Sequence, residues 1–129
     1  MTSQETAIAL TKSNLHAIFS EKDITKRLQA ISSLWVSLDA LFIDPLGVFK
    51  SHQAISDMVD KIQSMGGPED VFTELSEVEC LAKDDEGDLW VTRLKWGVGP
   101  PGGEPRMKGW DVLTIVGGKV KACYTFLDS

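Results

Sequence analysis

Apolar residues change their period partway along the chain. Up to about residue 66 they recur every three or four positions, and from residue 69 onward they alternate, so helices should come first and strands afterwards. Ile8, Leu15, Ile18 and Phe19 share one side of a first helix, with Thr2 and Glu5 as its capping box, that runs to about Ser20. Asp23 caps a second helix, in which Ile24, Leu28, Ile31, Leu34, Trp35 and Leu38 form the clearest apolar stripe of the chain. The run Ala40-Leu41-Phe42-Ile43 is too short and too continuously apolar for a helix. It reads as a short buried strand, ended by the turn residues Asp44-Pro45-Leu46-Gly47. A third helix starts near His52, presents Ile55, Met58, Val59 and Ile62 on one face and stops at Gly66-Gly67-Pro68.

The alternating part begins with a strand over 71–82, irregular near Ser76 as a bulge would make it, and turns at 83–87. The next strand, 89–98, places Trp90, Thr92, Leu94 and Trp96 on one face and Arg93 and Lys95 on the other. A loop over 97–105 leads to a strand over 107–116, a turn at Gly117-Gly118 and a last strand over 120–127. Short connections between consecutive strands predict an antiparallel meander whose apolar face the helices cover. The expected fold class is therefore α+β, a curved antiparallel sheet wrapped around three N-terminal helices.

At 129 residues the chain fills a single domain, 1–129, and 43% apolar with 25% charged residues is a globular rather than a disordered composition. A net charge of −6 has the wrong sign for a phosphate backbone or an anionic membrane, so neither nucleic acid nor membrane is an expected partner. Cys80 and Cys123 suit neither a zinc site nor a disulfide framework and fit a reducing cytosol. The first residues show no signal peptide, and the most apolar segment, 34–43, is interrupted by Ser37 and Asp39. A cytoplasmic protein is expected.

The string Ala40-Leu41-Phe42-Ile43-Asp44-Pro45-Leu46-Gly47, set after two helices and before Ile55 on a third, resembles the SnoaL-like group of the nuclear transport factor 2-like superfamily. Leu94-Lys95-Trp96, the loop Gly99-Pro100-Pro101-Gly102-Gly103-Glu104, the segment Gly109-Trp110-Asp111 and the ending from Gly118 to Asp128 follow in the order that group uses. The resemblance implies a cone with an apolar pocket at its open end, often paired with a second copy through the sheet. It also implies cofactor-free acid–base chemistry on small apolar molecules, as in polyketide cyclases, ketosteroid isomerase, limonene epoxide hydrolase and scytalone dehydratase. By the same resemblance Asp44 matches the general-base aspartate of ketosteroid isomerase. Asp111 falls on its hydrogen-bond-donating aspartic acid and near the catalytic aspartate of the cyclases. Leu15 stands where that isomerase has a tyrosine and can donate nothing. His16 points about 100° away around the helix.

The residues themselves support a carboxylate pair, because two such groups in an apolar pocket can be driven to different pKa values and divide acid and base work. Asp44 shares strand parity with Phe42, and Asp111 with Gly109, Leu113 and Ile115, so both could face inward. Each has a structural alternative: Asp44 as the acceptor of an Asx-turn over 45–47, and Asp111 as a carboxylate paired with Lys108 or Arg106. Trp35, Phe42, Trp96, Tyr124 and Phe126 are candidate pocket walls, or plain core. His16 is either a neutral acid–base group of the pocket or a satisfied helix-face histidine. Two scattered histidines make a metal site unexpected, and the 97–105 loop lacks the lysine–serine pair and following helix of a phosphate cradle. No cofactor is expected. The reading is an acid–base enzyme of cyclase, isomerase, dehydratase or hydrolase type, taking a small apolar oxygenated molecule of polyketide, terpenoid or steroid kind. Its rival is a non-catalytic binding or dimerisation module. The sheet face that by alternation carries Val91, Cys123, Thr125 and Leu127 among Arg93, Lys95, Lys119 and Lys121 predicts a homodimer.

Overall fold

The first helix, α1 (Gln4–Ser13), is capped by Ser3, whose hydroxyl accepts from the Thr6 N–H at 3.0 Å. Thr2 is not the cap: its backbone N–H and hydroxyl donate to the Asp88 carboxylate, tying the chain start to a turn of the sheet. This computed structural model describes residues 1–128. α1 does not stop at Ser13 but widens into a π-helical segment, Asn14–Phe19, with the Ser20 N–H bonded back to the Leu15 carbonyl. The wider turn brings Asn14, Leu15, Ile18 and Phe19 to the buried side together.

Helix α2 (Ile24–Leu34) begins where Asp23 accepts from the Lys26 N–H at 3.0 Å, but it ends before Trp35. Trp35 is extended and bridges Val120 in the last strand, while its indole N–H donates to the buried Asn14 Oδ1 at 2.8 Å. The chain therefore leaves the helix to join the sheet, and Leu38, placed on the apolar stripe by its spacing, is 77% exposed. Buried Arg27 fastens α2 to α3 (His52–Ser64), donating to Asp60 at 2.8 and 2.9 Å and to the Ser56 carbonyl. Among the described residues no helix is long and apolar enough to cross a membrane.

Seven strands form one open sheet. β1 (Leu41–Asp44) turns into β2 (Gly47–Phe49), a strand too short to show as a period in the sequence. β3 (Val71–Glu74) and β4 (Glu79–Asp84) are the two pieces of the expected 71–82 strand. Both pair antiparallel with long β5 (Leu89–Gly99), and the break falls at Ser76, whose hydroxyl accepts the Lys95 N–H that a continuous ladder would have bonded. β6 (Met107–Val116) and β7 (Lys119–Leu127) complete the meander. The sheet is mixed rather than purely antiparallel, because β1 lies parallel to β7. The order is β2-β1-β7-β6-β5-β3, with the helices on the concave side over Phe42, Leu94, Leu113, Ile115 and Val120. This is the α+β fold that the change of period predicts, in the cone form that the resemblance implies.

Candidate active site

Two neighbouring strands build the polar centre of the concave face. β5 faces Trp90, Thr92, Leu94 and Trp96 inward, and β6 does the same with Gly109, Asp111, Leu113 and Ile115, as their alternation requires. Trp96 lies directly across from Gly109. A Cβ at that glycine would stand 2.4 Å from the indole ring, so the missing side chain is what lets the ring lie against the strand. From there the Trp96 indole N–H donates to Asp111 Oδ1 at 2.9 Å, and the Thr125 hydroxyl, opposite Asp111 on β7, donates to the same oxygen at 2.7 Å.

Asp111 is 4% exposed, and burial, partly offset by those two hydrogen bonds, pushes its pKa up to about 6. Both donors use Oδ1, and Oδ2 of this cavity-lining residue accepts no hydrogen bond among the described residues. Neither Lys108 nor Arg106 pairs with it; Arg106 instead meets Asp70 at the rim. Behind it Cys123 is fully buried, its thiol pushed well above its ordinary pKa by desolvation and by the Asp111 charge, so it remains a neutral thiol. Asn14 contacts that sulfur at 3.9 Å, linking the π-helical segment to the site.

The cavity beside Asp111 has a volume of about 250 Å³. Leu15, Phe19 and Ile62 wall it from the helices, Phe72, Trp96 and Thr125 from the sheet, and Pro45, Leu46, Met65, Met107 and Leu127 around its mouth. Phe72 packs edge-on against both Trp96 and Phe19, with ring centroids 5.3 and 6.0 Å apart, which fixes the aromatic wall. Asp111 and Thr125 are the polar side chains of this lining.

Asp44 is buried but differently employed. Its Oδ1 accepts the N–H groups of Leu46 and Gly47 at 2.8 and 3.1 Å, the Asx-turn arrangement. Parallel pairing ends at Ile43 opposite Tyr124, so Asp44 sits beside Thr125 and two strand spacings, roughly 10 Å, from Asp111. The residues after it, Pro45 and Leu46, reach the cavity, and Asp44 itself does not line it.

Five of the expected pocket residues lie elsewhere. Trp35 is core, its polar edge satisfied by Asn14, and Phe42 is core, stacked between Phe19 and Phe49. His16 lies on the outer side of the π-helical segment, 2.6 Å from Glu74. Tyr124 and Phe126 point to the convex face, the latter 50% exposed, because β7 carries a bulge in which Lys121 is the extra residue between Val120 and Ala122. One extra residue exchanges the faces of everything after it, so Cys123, Thr125 and Leu127 turn inward, away from the lysine-bearing face expected for them. Thr125, Leu15, Phe19 and Phe72 are the site residues that sequence reasoning missed. The consecutive apolar pair Ala122-Cys123, which breaks strict alternation, was the available signal for Thr125. Among the described residues no three His, Cys, Asp or Glu side chains converge as metal ligands.

No protein-family model matches the chain, and no curated protein sequence does. Solved structures match throughout its length. A candidate isomerase of the SnoaL-like family from Agrobacterium tumefaciens superposes with a TM-score of 0.81 at 20% identity, covering 98% of this chain and all (100%) of that one. A nuclear transport factor 2-like superfamily protein from Salmonella enterica gives 0.73 at 11% identity, covering 97% and 90%. A candidate polyketide cyclase from Sinorhizobium meliloti gives 0.57 at 19% identity, covering 91% and 93%. Helix order, strand order and the apolar cavity define the class: the chain has the SnoaL-like, nuclear transport factor 2-like fold. At these identities the likeness is one of architecture, and this architecture carries several chemistries.

Proposed function

We propose that the chain is a cofactor-independent acid–base enzyme of the isomerase or cyclase kind, acting on a small apolar oxygenated molecule held in the cavity beside Asp111. The observation that carries this reading is the carboxylate itself: one oxygen fixed by Trp96 and Thr125, the other without a partner among the described residues, on a residue that lines an apolar cavity, with a pKa raised to about 6 by burial. At pH 7 such a group is roughly nine-tenths ionised, so Asp111 acts as the base. It takes a proton at Oδ2 from a carbon next to a carbonyl and returns it at another position. Asp44, with Oδ1 spent on a turn, holds the mouth in shape rather than sharing the proton.

The test is exchange of the α-protons of an apolar ketone, 2-tetralone, in deuterated buffer near neutral pH, followed by NMR. Asp111→Asn keeps the size and both hydrogen-bond acceptances while removing the base, and should slow exchange by about a hundredfold or more. Equal exchange by the two proteins contradicts the proposal. A binding module without catalysis is the second reading, favoured by Leu15, which places an apolar side chain in the cavity wall opposite the carboxylate's strands.

The convex face carries Trp110, with Arg93 and Lys95 over its ring, beside Tyr124 and Phe126, a surface suited to a second copy of the chain. Light scattering at micromolar concentration should give twice the chain mass, and a monomer mass removes this part. Cys80 and Cys123 are both free, as suits the cytoplasm.

A further inference from the structure

The cavity has a second lobe, of about 130 Å³, that shares Phe19, Ile62, Met65, Phe72 and Met107 with the first. Its own polar lining differs in sign: Lys22, Gln63, Asp70 and Arg106. Polarity is thus divided between two adjoining lobes, with a carboxylate in the inner one and cations in the outer.

The cations are not used up by the fold. Lys22 donates to the neutral Pro68 carbonyl and forms no ion pair among the described residues. Arg106 reaches Asp70 through Nη2 alone, and that carboxylate also accepts the Gly67 N–H at 2.9 Å. Gln63 spends its amide N–H groups on the Phe19 and Glu21 carbonyls, each at 2.9 Å, so it fixes the lobe's wall. Two cations against one carboxylate leave this rim positive on a chain of net charge −6. A lining with an excess of positive charge favours an anionic group over a neutral one.

We infer that the ligand is an apolar anion: a carboxylate or sulfonate held between Lys22 and Arg106 in the outer lobe, with its apolar body in the lobe beside Asp111. The inference rests on the proposed reading of the cavity as a small-molecule site and narrows it to one substrate class and one orientation. An anionic group placed inward would face the Asp111 carboxylate, so the charged end points out and the oxygenated carbon skeleton points in.

Two fluorescent dyes with the same ring system, 8-anilinonaphthalene-1-sulfonate and neutral N-phenyl-1-naphthylamine, separate the possibilities. The sulfonate should bind at least about fivefold more tightly, and its affinity alone should weaken as salt is raised. Lys22→Met, at an exposed position with no ion pair to lose, should reduce sulfonate binding about threefold or more while the neutral dye stays within about twofold. Arg106→Gln should act in the same direction. Equal binding of the two dyes, or an equal loss of both in the Lys22 variant, overturns the anionic class and leaves the cavity reading standing. Binding of neither dye overturns both.

Discussion

Asp44 and Asp111 are both nearly withdrawn from solvent, 8% and 4% exposed, and both lie on the concave face within one row of neighbouring strands. What separates them is where their hydrogen bonds come from. Asp44 takes backbone N–H groups from the turn that follows it, a local demand met by one of its own oxygens. Asp111 takes side-chain donors from β5 and β7, which hold it in place; in both residues only Oδ1 accepts these bonds, and Asp111 lines the cavity whereas Asp44 does not. Burial alone therefore does not mark a functional carboxylate. A buried carboxylate held by side-chain donors on the wall of a cavity is the informative kind.

The difference is open to direct attack. Because the folded chain holds a proton on Asp111 up to about pH 6, against 3.8 for the free side chain, it binds that proton more tightly than the unfolded chain does. The stability it supplies in protonated form is fully present below about pH 4 and is lost as pH rises through 6, by about 3 kcal/mol. Asp111→Asn should abolish that slope, so urea unfolding of variant and parent across pH 4 to 7 should show the variant gaining on the parent as pH rises. Parallel curves would remove the buried, proton-linked carboxylate from the account.

At Asp44 the cost should fall on the fold instead. Asp44→Ala leaves the Leu46 and Gly47 N–H groups without an acceptor and should lower stability by about 1–3 kcal/mol, whereas Asp44→Asn keeps the acceptor and should stay close to the parent. A loss in the Asn variant as large as that in the Ala variant would show that the charge matters, and the contrast with Asp111 would collapse.

These contrasts were only partly legible in the sequence. The alternation of β5 and β6 is uninterrupted from Leu89 to Val98 and from Met107 to Val116, and it places Trp96 and Asp111 inward correctly. Strand β7 offered the same kind of pattern, but a bulge needs only one extra residue, and Lys121 looks like any outward lysine. Unbroken alternation therefore puts Tyr124 and Phe126 in the pocket and Thr125, which holds Asp111, on the wrong face. Trp35 failed for another reason: its spacing on the α2 stripe is helical, and its actual place depends on Asn14, brought inward by a π-helical turn that has no sequence signature at this level. Asp44 was legible as a turn residue from Asp44-Pro45-Leu46-Gly47, and its inward parity added nothing that distinguished the two roles.

A smaller effect sharpens the same comparison. Thr125→Val removes the hydroxyl that favours the charged form of Asp111, so the carboxyl pKa should climb by about one unit. An unaltered Asp111 titration in that variant would mean that the Trp96 indole alone holds the carboxylate.

The central claim, that Asp111 is a buried carboxylate kept ready for proton transfer, is tested most directly by its own titration. The side-chain carboxyl carbon of Asp111, assigned by comparison with Asp111→Asn, can be followed by NMR from pH 3 to 8. A midpoint near 6 is the predicted result, and a midpoint at or below the ordinary aspartate value of 3.8 would contradict it.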